Sequence, residues 1–198
     1  MDLIIASNNL NKIKEIKELL SDLDINVLSL KDIGFTKEIE ETGTTFEDNS
    51  YIKAKTIYDL YKKPVIADDS GLEVRALNNA PGVYSHRYAG STCVDSANNE
   101  KLISELKGIT DRAARYVCVI SYINELGDVK YSKGYCEGEI IDTPKGNNGF
   151  GYDPYFYIKE YNKTMAEISM DEKNKISHRA KALNKLKDII NEDITSKR

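Results

Sequence analysis

Apolar residues recur along this chain with two different periods, and the switches between them lay out the elements. Leu3-Ile4-Ile5-Ala6 is a continuous apolar run that stops at Ser7-Asn8-Asn9, the pattern of a buried strand entering a turn. Ile13, Ile16, Leu19, Leu20 and Leu23 then fall at helical spacing with Lys and Glu between them, which predicts an amphipathic helix on a core. Ile25-Asn26-Val27-Leu28 predicts a second strand. Strand, tight turn, helix, strand is the opening of an α/β architecture. Residues 37–48 are acidic and irregular. Thr45 followed by Asp48 resembles a capping box, and Phe46, Ala54, Ile57, Tyr58, Leu60 and Tyr61 continue it as a helix to about Lys62, where Pro64 stops it.

Val65-Ile66-Ala67 predicts a third buried strand that runs straight into Asp68-Asp69-Ser70-Gly71, for which a strand-to-turn transition is the plain reading. Further turns are expected at Pro81-Gly82 and Gly90. A helix is expected over residues 97–106, and a β-rich run over 115–123 returns as a hairpin strand over 128–141. Residues 146–151 form a glycine-rich loop, Tyr155-Phe156-Tyr157-Ile158 a last strand. Ile176, Ala180, Leu183, Leu186 and Ile190 mark a C-terminal amphipathic helix. No repeat or linker divides the chain, so residues 1–198 read as one domain.

Composition narrows the classes. The 198 residues are 40% hydrophobic and 30% charged, which excludes a disordered or collagen-like chain. A chain of this length buries about 70% of its surface on folding, enough for a core without staples. No apolar run approaches the length of a spanning helix and no signal peptide is legible, so no membrane partner is expected. The net charge of −4 argues against a nucleic-acid partner. Cys93, Cys118 and Cys136 are odd in number and widely spaced, which suggests neither disulfides nor zinc and points to a reducing, cytoplasmic location.

Four places could carry chemistry. Ser7-Asn8-Asn9-Leu10-Asn11-Lys12 turns from a strand end into a helix start, where backbone N–H groups favour an anion; a polar turn with Asn caps is the plain alternative. Asp68-Asp69 directly follows a buried strand, and adjacent carboxylates suit a hard divalent cation, with Glu38, Glu40 or Glu41 as a possible third. Gly149-Phe150-Gly151-Tyr152-Asp153-Pro154 places a ring between glycines beside a carboxylate, as a flat ligand would require, or as a tight turn plugging the core. Ser177-His178-Arg179 opens the last helix with Lys173 just before it, and cations at a helix start ask for an anion or acceptor. One ligand answers all four: a nucleoside triphosphate with a divalent metal.

The same segments, together with Glu40-Glu41-Thr42-Gly43-Thr44-Thr45-Phe46 and Ala80-Pro81-Gly82-Val83-Tyr84-Ser85, occur in an order that resembles the inosine triphosphate pyrophosphatase family over essentially the whole chain. The resemblance implies a mixed, elongated α/β sheet with flanking helices and two lobes around a central cleft. It also implies a homodimer and Mg²⁺-dependent hydrolysis of ITP, dITP and XTP to the monophosphate and pyrophosphate. Carried onto this sequence, it implies that Ser7, Asn9, Lys12, Lys53 and Ser70 bind substrate, the lysines at phosphate. Glu41 and Asp69 would hold Mg²⁺ with Asp68 nearby, and Asp69 would accept the proton of the attacking water. Phe150, Gly151, Tyr152, Asp153, Lys173, His178 and Arg179 would form the base pocket. Two alternatives remain open on the residues: a Maf-type pyrophosphatase with another base preference, and a nucleotide-binding regulator without turnover.

Overall fold

The computed structural model describes residues 1–91 and 93–195. Within them the chain runs β1 (Asp2–Ile5), α1 (Leu10–Leu19), β2 (Asn26–Ser29), α2 (Phe46–Tyr61), β3 (Val65–Val74), α3 (Asp95–Glu105), β4 (Ala113–Ile123), β5 (Val129–Ile140), β6 (Phe156–Ile158), β7 (Lys163–Thr164), α4 (Met170–Ile176) and α5 (His178–Thr195). The strands make one seven-stranded sheet in the order β2-β1-β3-β4-β5-β6-β7. β1 pairs in parallel with β2 and β3, whereas β6 pairs antiparallel with β5 and β7, so the α/β sheet is mixed. No helix among the described residues is long and apolar enough to cross a membrane.

The chain divides into two compact units. The first holds residues 1–69, 118–134 and the segment from Arg179; the second holds residues 70–117 and 135–178. In the first unit β1 sorts its side chains by alternation. Leu3 and Ile5 join Ile66, Ile16 and Leu20 of the α1 segment, and Leu183, Leu186 and Ile190 of α5. Ile4 and Ala6 join Val65, Ala67, and Ala54 and Ile57 of α2. The helical period of the sequence is thus explained: α1 and α5 cover one side of these strands and α2 the other. The second unit has its own core, in which Leu72, Val74, Leu102, Tyr116, Ile140, Phe156 and Met165 are buried together.

Besides the short strand β7, which follows the strand expected to be the last, three expectations differ from the structure. The helical spacing reaches Leu23, but α1 ends at Leu19 and Leu23 packs from the following turn. The apolar spacing counts Ile176 into the final helix, but Ser177 adopts an extended conformation (φ −65°, ψ 154°) that ends α4 at Ile176, and the final helix opens at His178, as Ser177-His178-Arg179 suggests. The third matters for function. Asp68, Asp69, Ser70 and Gly71 do not form a turn; β3 continues through them to Val74. Turn chemistry yields here because each carboxylate meets cations from a packed helix, and a paired carboxylate can stay in a buried strand.

Candidate active site

The continuation of β3 decides the geometry. Successive side chains of a strand point to opposite faces. Asp68 shares a side with Ile66, and Asp69 shares one with Ala67 and Val65. By this alternation the two adjacent carboxylates face opposite sides of β3. Each is met by the cations of the helices on its own side.

On the α1 and α5 side, Lys12 Nζ lies 3.0 Å from Asp68 Oδ2. The guanidinium of Arg179, from the first turn of α5, reaches the same oxygen at 3.5 Å and forms an ion pair with Glu15. Arg179 and Asp68 are each 2% exposed and Glu15 is 4% exposed, so this is a buried charge cluster. Burial pushes the Asp68 carboxyl up, but Lys12, Arg179 and Lys53 together outweigh it and hold it well below the usual carboxylate range. Asp68 Oδ1 is buried and has no hydrogen-bond partner among the described residues.

On the α2 side, Lys53 Nζ lies 2.6 Å from Glu41 Oε1 and 3.9 Å from Asp69 Oδ1. Burial pushes the Asp69 carboxyl up; Lys53 and Lys12 pull it down, Glu41 and Asp68 push it up, and the outcome is about 6. Glu41 comes from an irregular loop, and α2 fixes that loop. The N–H of Gly43 donates to Oδ1 of the fully buried Asn49 at 2.8 Å. A Cβ at Gly43 would sit 2.5 Å from Asp48 Cβ, so only glycine lets the loop lie against α2. Thr45 caps α2 through Asp48 N (3.1 Å), as the sequence predicts.

The turn after β1 is a helix cap. Asn9 Oδ1 accepts from the N–H groups of Asn11 (3.0 Å) and Lys12 (3.2 Å), and Ser7 Oγ accepts from Asn9 N at 3.2 Å. The plain reading of this segment therefore accounts for these side-chain oxygens, while Lys12 is delivered to Asp68 from the first turn of α1.

The second unit gathers the remaining predicted residues except Arg179. Asp153 is buried; its Oδ1 accepts from the Tyr116 hydroxyl at 3.0 Å, and its Oδ2 from Phe150 N at 3.1 Å and Lys173 Nζ at 3.2 Å. Burial raises the Asp153 carboxyl, with Lys173 and these donors opposing it. Lys173 Nζ stands 4.9 Å from the Phe150 ring centroid. The His178 imidazole stacks on Tyr116 with centroids 4.8 Å apart. The Tyr152 hydroxyl is spent on Ser85 O (2.7 Å) and its ring on the core. Ser70 is half-buried, one residue beyond Asp69 on β3. Arg179 is the one member assigned to the base group that the fold groups instead with Glu15, Asp68 and Lys12, because its guanidinium is what offsets two buried carboxylates.

Gly149 has a dihedral reason to be there. Its φ is +77°, and a Cβ would lie 2.0 Å from Asp153 Oδ2. Gly149→Ala must therefore disturb the Asp153–Phe150 bond. It is expected to destabilise the fold by about 2–4 kcal/mol, combining left-handed strain with overpacking, and to lower Tm by about 4–16 °C. Thermal denaturation followed by circular dichroism checks this.

Sequence reasoning missed Glu15, Tyr116 and Asn49. Glu15 had a signal, since it sits three residues from Lys12 and so shares its helix face. Tyr116 had none, because its partner Asp153 is 37 residues away, and Asn49 is paired with Gly43 across an irregular loop that shows no period.

The model of the Ham1 family matches residues 3–189. A protein of Clostridium perfringens named dITP/XTP pyrophosphatase is 52% identical over 193 residues, covering 93% of this chain and 95% of that protein. One of the same name from Bacillus subtilis is 51% identical over 189 residues, covering 94% and 96%. The structure of the Ham1 protein of Staphylococcus aureus superposes with a TM-score of 0.90 at 45% identity, covering 98% of this chain and all of that one (100%). A HAM1 protein from Coxiella burnetii matches with a TM-score of 0.90 at 42% identity, over 97% and 99% of the two chains. The resemblance read from the ordered segments is borne out, and the chain belongs to the Ham1 family.

Proposed function

We propose that this chain hydrolyses non-standard purine nucleoside triphosphates, dITP, ITP and XTP, to the monophosphate and pyrophosphate. The observation that carries the reading is the placement of Lys12 and Lys53, from two helices, at consecutive carboxylates of one strand. The names of the relatives, dITP/XTP pyrophosphatase, support the substrate class.

The charge balance also speaks to a metal. Lys12, Lys53 and Arg179 face Glu15, Glu41, Asp68 and Asp69, so the cluster holds no surplus positive charge for a polyphosphate. A triphosphate needs a divalent cation to enter such a field. Glu41 and Asp69 fit one: they come from separate segments, offer hard oxygens, and already share the Lys53 ammonium. Among the described residues no cluster of three or more acidic, His or Cys ligands is assembled. Mg²⁺ is commonly held by one or two carboxylates together with waters and substrate phosphates. Asp68, on the opposite side and engaged by Lys12 and Arg179, serves better as an anchor for those cations than as a ligand beside Asp69. When bound, Mg²⁺ supplies charge neutralisation and stabilises the pyrophosphate leaving group.

The residues divide the remaining work. Asp69 takes a proton from a water attacking the α-phosphorus, while Lys53 and Lys12 stabilise charge developing on the phosphates. Phe150 offers a ring face to the base, with Lys173 and His178 as donors for a 6-keto oxygen. Adenine presents a 6-amino group there, which leaves donors facing donors. The homodimer and the cytoplasmic location implied by the resemblance belong to this proposal, and light scattering after size-exclusion chromatography reads the first.

Pyrophosphate release with Mg²⁺ is the test. Turnover of ITP, dITP and XTP well above ATP is expected. Preference for a modified pyrimidine triphosphate would favour the Maf-type alternative, and binding without pyrophosphate release the regulator. Excess EDTA is expected to reduce activity to background, with recovery on adding Mg²⁺ or Mn²⁺. Full turnover in chelator would sink the metal role.

A further inference from the structure

The loop carrying Phe150 has little intrinsic reason to hold one conformation. Gly146, Gly149 and Gly151 all have positive φ, at +82°, +77° and +64°. Glycines at such positions leave a chain many alternatives. Yet Gly151 is gripped at both of its backbone polar groups by one helix. Its N–H donates to Asp95 Oδ2 at 2.8 Å, and its carbonyl accepts from Asn99 Nδ2 at 3.0 Å. Asp95 and Asn99 are four residues apart on α3, so they share a face and meet one residue together.

Asn99 has a second feature. It is buried, and its Oδ1 has no hydrogen-bond partner among the described residues. A buried carbonyl without a partner carries a cost that one neutral hydrogen bond does not recover. Stability alone gives no reason for an amide at this position; the bond to Gly151 does.

We infer that Asp95 and Asn99 are positioning residues for base recognition: they clamp Gly151 and thereby fix the adjoining Phe150 ring and the Asp153 carboxylate. The preceding peptide carries the Phe150 N–H, which donates to Asp153 Oδ2, so a shift at Gly151 passes directly into both groups. This rests on the reading of Phe150 and Asp153 as the base site. The clamp touches neither phosphate nor metal ligands, so its loss falls on the distinction between bases.

The test compares kcat and KM for ITP and ATP in the full-length protein with Asp95→Ala, Asp95→Asn and Asn99→Leu. Asp95 is exposed, so its replacement does not threaten the fold. Asp95→Ala and Asn99→Leu are each expected to lower kcat/KM for ITP by about 5- to 20-fold, chiefly through KM, with a smaller loss for ATP. The ITP-to-ATP preference narrows accordingly. Asp95→Asn keeps an acceptor for the Gly151 N–H and restores most of the preference, which a role in helix stability alone would not predict. If wild type discriminates and Asp95→Ala, folded by circular dichroism, keeps its full preference or loses both substrates equally, the clamp inference fails. A wild type that hydrolyses ITP and ATP alike overturns the base-site reading and the clamp with it.

Discussion

Asp69→Asn is expected to lower kcat for ITP by about 10²-fold or more, the scale that a positioned proton acceptor contributes. The substitution is isosteric, so the strand and its pairing remain. What changes is the capacity to take a proton and the negative charge that Asp69 would offer to Mg²⁺, the second being offset by saturating metal. Burial, set against Lys53 and Lys12, leaves the Asp69 carboxyl near 6 in the free protein, which is both basic enough to accept and ionised at neutral pH. The amide does neither. Lys53 keeps its ion pair with Glu41, so phosphate contacts survive and KM is expected to move less than kcat. Steady-state kinetics at pH 7.5 with saturating Mg²⁺, alongside Tm, separates these effects. A variant with half of the wild-type kcat would move the proton-accepting role to another group.

The sequence made Asp69 visible for a partly mistaken reason. A buried apolar run followed by Asp-Asp-Ser-Gly reads as a strand ending in a turn, and ligands gather where strands end. The apolar run and its burial were legible because they depend on side-chain period alone. The continuation of β3 through the carboxylates depends on Lys12, Lys53 and Arg179, which lie 56, 16 and 111 residues from their nearest Asp and leave no local trace. The same limit explains Arg179. Its position at the start of a helix was readable, yet the choice between a ligand and the buried Glu15 carboxylate was not. Helix caps fared better, since Thr45 and Asp48 act within one turn. The start of α5 was legible in Ser177-His178-Arg179; α4 before it was not, because the apolar spacing from Ile176 runs across the break.

Arg179→Ala is expected to cost about 3–5 kcal/mol of stability, the range for removing one partner of a buried ion pair. The variant takes the guanidinium away from two carboxylates, Asp68 and Glu15, neither of which is more than a few per cent exposed, and leaves Lys12 in contact with Asp68 and Lys53 farther off to offset it. At about 2–4 °C per kcal/mol for a chain of this size, Tm falls by about 6–20 °C. The loss has a pH signature that a cavity would not produce. In wild type, the folded Asp68 carboxyl titrates below its unfolded value of about 3.9, so its contribution is complete above that pH and is lost only as pH falls through the folded value. Without the guanidinium, burial raises the folded carboxyl, and the folded variant takes up a proton that wild type refuses. Because the unfolded chains are alike in this respect, the variant loses ground to wild type as pH rises and regains it on acidification. The gap in Tm is therefore expected to be widest near pH 7.5 and to narrow toward pH 5. Adding Glu15→Ala to Arg179→Ala is expected to cost less than the two single losses together, by about 1–3 kcal/mol, since residues in one ion-pair network are not additive. A gap independent of pH, or strict additivity, would mean that Arg179 packs beside these carboxylates without compensating them.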